Sequence, residues 1–151
     1  MIAVDTNVLV RLLTGDDPEQ QAIARLAFVS GQVWITKTVL METGWVLNSL
    51  YKFEQTAIKD AFTKLLGLRN VRVESEAEVA AALALTDLGL ELADALHLSC
   101  RPHGTFFVSF DKSFVKRAKR AGVPNVSILA GPKYLGTLLI CSESNWYRFY
   151  E

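Results

Sequence analysis

Four carboxylates stand where a cation site would want them: Asp5, Glu42, Asp94 and Asp111. Asp5 and Asp111 each end an apolar run that reads as a buried strand, residues 1–4 and 106–110. Glu42 and Asp94 each fall within a helix-like segment. A carboxylate taken out of water costs free energy, so an acid at the end of a core strand needs a compensating partner. Divalent cations supply one, because they turn mutual repulsion among carboxylates into binding energy. Magnesium and manganese prefer oxygen donors, and magnesium keeps several waters while taking only a few carboxylates. Two such ions roughly 4 Å apart activate a water and stabilise the leaving oxygen in phosphodiester hydrolysis.

The elements that must position these acids follow from periodicity and punctuation. Residues 1–4, 33–35, 71–73, 106–109 and 126–129 read as five short strands. Asp17-Pro18 starts a helix with a capping acid and proline at the first helical position, and apolar Ala22, Ile23, Leu26 and Ala27 continue it to Gly31. Thr36 or Thr38 caps a helix running through Glu42 and Trp45 to about Tyr51. Further helices are expected over about residues 55–66, from Ser75 to near Gly89, over 92–100 and over 112–121. Ser75 and Glu78 have the spacing of a capping box. Strands alternating with helices predict an α/β fold with a parallel sheet covered on both faces. In such sheets ligands gather beyond the carboxyl ends of the strands, which is where Asp5 and Asp111 stand.

At 151 residues, 50% of them hydrophobic and 21% charged, the chain suits one ordinary globular domain. Sixteen basic residues balance sixteen acidic ones, which argues against nonspecific coating of nucleic acid but not against a nuclease whose metals add local positive charge. Asp5 and Arg11 interrupt the first apolar runs and no basic leader precedes them. The longest apolar stretch, residues 79–85, is too short to span a bilayer. Two cysteines, Cys100 and Cys141, form no disulfide framework. The expectation is a cytoplasmic protein without membrane association.

Val4-Asp5-Thr6-Asn7, Glu42, Ala93-Asp94-Ala95-Leu96-His97 and Ser109-Phe110-Asp111, taken together, resemble the PIN domain, and more narrowly the VapC-type toxins of bacterial type II toxin–antitoxin systems. The resemblance covers residues 1–130. It implies a three-layer sandwich with a central parallel sheet flanked by helices, and a Mg²⁺- or Mn²⁺-dependent ribonuclease. It also implies a homodimer held inactive by a cognate antitoxin. Carried over residue by residue, it makes Asp5, Glu42, Asp94 and Asp111 the catalytic acids, with Asp5 and Asp94 as metal ligands. Thr6, Asn7 and Ser109 would orient carboxylates or waters through hydroxyl and amide hydrogen bonds. Ser109 stands where many relatives have threonine, and it keeps the hydroxyl.

Plainer roles exist for each residue. Asp5 and Asp111 suit the capping of the helices that follow them. Asp94 suits a helix N-terminal turn through the dipole, and Glu42 suits a solvated helix face. Asp16 and Asp17 read as turn and cap acids. His97, Cys100 and His103 have a zinc-like spacing but no nearby fourth ligand. His97, one turn after Asp94, is either a neighbour of the acidic site or a satisfied buried histidine. Lys112, Lys116 and Arg117, with Lys119 and Arg120, form either a solvated helix face or an edge that touches RNA phosphates beside Asp111. The series Trp45, Val46, Leu47, Leu50 and Tyr51 exceeds one narrow stripe, so part of it is free to face an antitoxin or a second subunit. Rival functions are a haloacid-dehalogenase-type phosphatase, disfavoured by Asn7 where a second aspartate is wanted, a non-catalytic PIN-like binding module, and a solitary nuclease without an antitoxin. No Gly-x-Gly-x-x-Gly follows Val4, which argues against a nicotinamide-binding Rossmann protein. Residues 131–151, rich in aromatics such as Trp146 and Tyr147, form an extension of unknown role, expected to pack on the domain or a partner.

Overall fold

Asp5 stands at a change of period: extended backbone before it, helix after it. The computed structural model describes residues 1–130. The chain divides into two compact units, Met1–His103 and Gly104–Glu151. In the first, β1 (Ile2–Ala3) leads through Val4 and Asp5 into α1 (Thr6–Thr14). Then follow α2 (Pro18–Ser30), β2 (Val33–Ile35), α3 (Lys37–Ser49), α4 (Gln55–Leu66), β3 (Val71–Val73), α5 (Glu76–Thr86) and α6 (Leu92–Ser99). The three strands pair in parallel in the order β1-β2-β3, with Ile2 opposite Val33, and Val33 and Ile35 opposite Val71 and Val73. Val33, Ile35, Val71 and Val73 are buried, whereas Arg72 between the last two is exposed. That alternation sends one face of β3 to the core and the other to water.

The second unit holds β4 (Phe107–Ser109), α7 (Lys112–Arg120) and β5 (Val126–Ile128), and its two strands also pair in parallel. The chain is therefore α/β with parallel strands, as its alternating pattern predicts. Among the described residues the five strands pair as a three-stranded and a two-stranded sheet.

Helix ends obey local chemistry. Gly15 takes the left-handed conformation (φ 66°) that stops α1. Asp17 accepts from Gln20 N ahead of Pro18, and Thr36, not Thr38, caps α3 by accepting from Val39 N. The Ser75 capping box does not form. Ser75 sits at φ 52°, ψ 55° with no side-chain cap bond, whereas a capping residue needs extended backbone to aim its hydroxyl at the helix. Its neighbour Glu74 instead accepts from Lys37 N at 3.0 Å, tying the end of β3 to the start of α3.

The core of the first unit gathers Leu9, Val33, Ile35, Leu40, Leu47, Ile58 and Phe62, all nearly inaccessible. Gly44 lets α3 approach its neighbours closely: a Cβ there would meet Leu92 Cδ2 at 2.7 Å and Phe62 at 3.6 Å. Glu42 lies two residues before this contact, on the helix that packs against α1 and α6. Among the described residues no helix is long and apolar enough to cross a membrane. The aromatic-rich extension and Cys141 lie outside the described residues.

Candidate active site

Asp5 is exposed at the carboxyl end of β1, and its Oδ1 accepts from Val8 N at 3.0 Å. It therefore caps α1, as its plainer reading expects, while its other oxygen carries no part of that bond. The next residue, Thr6, is buried and donates from Oγ1 to Glu42 Oε2 at 2.6 Å, across thirty-six residues. That bond fixes an otherwise exposed glutamate on α3 against the start of α1. A short hydroxyl–carboxylate bond is charge-assisted and orients the acceptor. Thr6 thus ties the first turn of α1 to the Glu42 carboxylate.

Asp5, Thr6, Asn7, Arg11, Glu42 and Tyr51 share the wall of a cavity of about 350 Å³. Asn7 and Arg11 are spaced i, i+4 on α1, and Glu42 and Val46 follow the same spacing on α3 with Leu50 at its C-terminal cap, so two helix faces meet across it. Glu42 also lines an adjoining, more apolar hollow of about 480 Å³ with Trp45, Leu92 and Ala93. Asp94 lies half-buried in the first turn of α6, a helix in contact with α3, and is not among the residues lining the smaller cavity.

In the second unit Asp111 caps α7. Its Oδ1 accepts from Ser113 N at 2.7 Å and from Phe114 N at 3.0 Å. Ser109 Oγ accepts from Asp111 N at 3.0 Å, so this hydroxyl touches the backbone of the acid and not its carboxylate. Lys112 and Lys116 are exposed on α7, as are Lys119 and Arg120. Arg117 is half-buried and donates to Ser113 Oγ at 2.9 Å.

Arg11 and Tyr51, which the sequence marks only as a break in an apolar run and a member of the 45–51 series, help to shape the cavity. Arg11 forms an ion pair with Asp16, and the Tyr51 hydroxyl donates to the same Asp16 oxygen at 2.6 Å. The Tyr51 hydrogen bond and then the Arg11 bond hold the Asp16 carboxyl down to about 2. The bond to Asp16 also raises both Arg11 and the Tyr51 phenol. Asp16 is accordingly a paired acid and no candidate ligand. His97 is exposed, beside Lys37, Met41 and Cys100, so it is not a buried histidine.

Among the described residues no group of three or more His, Cys, Asp or Glu is arranged to hold a metal, which includes the zinc-like His97, Cys100 and His103. The donors of the Asp5–Glu42 cavity are carboxylate, hydroxyl and amide oxygens, without thiolate or imidazole. That chemistry fits a hard divalent cation that keeps much of its water.

Compared with known protein families, the chain matches the PIN domain over residues 2–120, and it belongs to that family. PIN domains are generally metal-dependent nucleases, which displaces the phosphatase reading. No curated protein matches the chain, and no solved structure does.

Proposed function

We propose that this chain is a divalent-metal-dependent endoribonuclease acting as the toxin of a type II toxin–antitoxin pair. The observation that carries the proposal is the joining of Asp5 and Glu42 in one polar cavity, with Thr6 holding the glutamate. Asp5 and Asp94 are the proposed metal ligands, and Glu42 and Asp111 complete the acidic set. A bound Mg²⁺ or Mn²⁺ would activate a water and offset charge on the leaving oxygen. The chain's own residues then have distinct tasks. Thr6 keeps the Glu42 carboxylate in one orientation, and Asn7 lends an exposed amide to the same wall. Ser109 braces the backbone of Asp111. Lys112 and Lys116, with Arg117 beside them, contact RNA phosphates and position the strand without reading its sequence.

Trp45 and Leu50, 65% and 69% exposed on and just beyond α3, support a partner that covers apolar surface near the acids. In this reading the partner is a cognate antitoxin, the active chain is a homodimer, and both act in the cytoplasm. Expression of the chain alone should arrest bacterial growth, and co-expression of the adjacent upstream frame should relieve the arrest. A soluble, well-expressed chain that leaves growth unaffected would remove the toxin role while leaving a solitary nuclease standing.

A further inference from the structure

Among the described residues Arg11 is the one cation lining the cavity that holds Asp5 and Glu42. Its side chain is 30% exposed and is held from three directions. Nε donates to Gln20 Oε1 at 3.0 Å, and Nη1 donates to Asp16 and, at 3.4 Å, to the Tyr51 hydroxyl. None of these bonds uses Nη2. Tyr51 is itself fixed, by its bond to Asp16 and by an edge-on contact with Phe53 at 6.4 Å between ring centroids.

Restraining an arginine costs rotamer entropy, and a planar fork already held in place loses less when an anion arrives. The anion that must come here is disfavoured by the acids, because a phosphodiester approaching Asp5 and Glu42 meets like charge. A guanidinium held on the same wall, its charge shared with Asp16, still presents a planar fork that matches phosphate geometry. At about 350 Å³ the cavity has room for one nucleotide but not for a duplex. Single strands are the form in which a nucleotide can be turned into such a recess.

We infer that Arg11 binds a phosphate of a single RNA strand next to the acidic site, with Asp16 and Tyr51 as positioning residues that hold its guanidinium. The inference rests on the nuclease reading above. The rival role is a staple that fastens α1 to the start of α2 and the end of α3 without touching substrate.

The test compares the full-length chain with Arg11→Gln, Arg11→Lys and Tyr51→Phe. Cleavage kinetics on a mixed-sequence RNA octamer are read with Mg²⁺ or Mn²⁺, octamer affinity with Ca²⁺, and melting temperature alongside. Arg11→Gln should raise KM and weaken the octamer by about tenfold or more, with kcat much less affected. Arg11→Lys should recover part of that loss, and Tyr51→Phe should weaken binding by a smaller factor. A folded Arg11→Gln chain with unchanged KM and octamer affinity would reduce Arg11 to a staple. Should that variant not fold, the wild-type chain decides: the Arg11 side-chain NMR signal must shift on octamer titration, and a signal that stays put overturns the inference. The two readings fail separately. Octamer binding at Arg11 without metal-dependent cleavage would sink the nuclease and keep the phosphate site. Cleavage with a silent Arg11 would do the reverse.

Discussion

The chain builds the same local device twice, a short strand that ends at an aspartate capping the next helix, and then wires the two copies differently. At β1–Asp5–α1 the aspartate takes one backbone N–H, and the following Thr6 reaches a glutamate thirty-six residues away. At β4–Asp111–α7 the aspartate takes two backbone N–H groups, and its support, Ser109, is two residues behind it. Asp5 opens a helix whose faces are occupied by core and cavity, whereas Asp111 opens a helix whose outer face is a run of exposed cations. A strand-end acid is thus a helix cap by default. What sets the first copy apart is its neighbour's long-range bond, which holds Glu42 on the cavity wall that Asp5 shares.

That contrast is sharpened most by Thr6→Val. The substitution keeps the shape of the buried side chain and releases Glu42, so cleavage should fall by about tenfold or more, since bonds to a charged group are worth ~1.5–3 kcal/mol. A matched Ser109→Ala change should cost much less, because it removes only a local backbone contact. Equal losses, measured as kcat/KM on one RNA substrate, would erase the distinction between the two copies.

A smaller effect separates capping from chemistry at Asp111. Asp111→Ala should destabilise the chain by about 1 kcal/mol in urea unfolding, while Asp111→Asn should be nearly neutral, because asparagine caps as well as aspartate. Should Asp111→Asn nonetheless abolish cleavage, Asp111 acts in the chemistry as well as in the fold.

The smallest effect is that of pH on the cluster beside the first copy. The folded Asp16 carboxyl lies at about 2, below its ordinary 3.8. Its stabilising contribution is therefore fully present above 3.8 and fades as pH falls towards about 2. Tyr51 and Arg11 are shifted upwards, so their contributions are present below their ordinary values and fade only as alkaline pH passes the raised ones. The difference in stability between the parent chain and Asp16→Asn should be flat through neutral pH and shrink towards pH 2. A difference that vanished already near pH 5 would mean Asp16 is not held by Tyr51 and Arg11.

What could be read from the sequence was what acts over a few residues. The helix-capping acids Asp5, Asp17 and Asp111, the threonine cap at α3 and the alternating α/β order are local, and the structure has them. The Ser75 box had the right letters and failed because a left-handed backbone angle overrode them. The Thr6–Glu42 bond and the Tyr51–Asp16 bond join residues far apart in the chain, and no spacing announces such pairs. Arg11 was nonetheless detectable in part. The apolar run of residues 8–13 folds as part of α1, which sets Arg11 one turn after Asn7. Tyr51 was hidden within an apolar series whose other members divide between core, at Leu47, and surface, at Trp45 and Leu50.

The central claim is that Asp5 is a functional carboxylate and not only a helix cap. Purified parent chain and Asp5→Asn should be compared for RNA cleavage with Mg²⁺ or Mn²⁺ and again with EDTA, after equal melting temperatures confirm that asparagine preserves the cap. The account predicts metal-dependent cleavage by the parent, abolished by EDTA and lowered by roughly a hundredfold or more in Asp5→Asn. Cleavage that survives EDTA, or an Asp5→Asn chain as active as the parent, would contradict it.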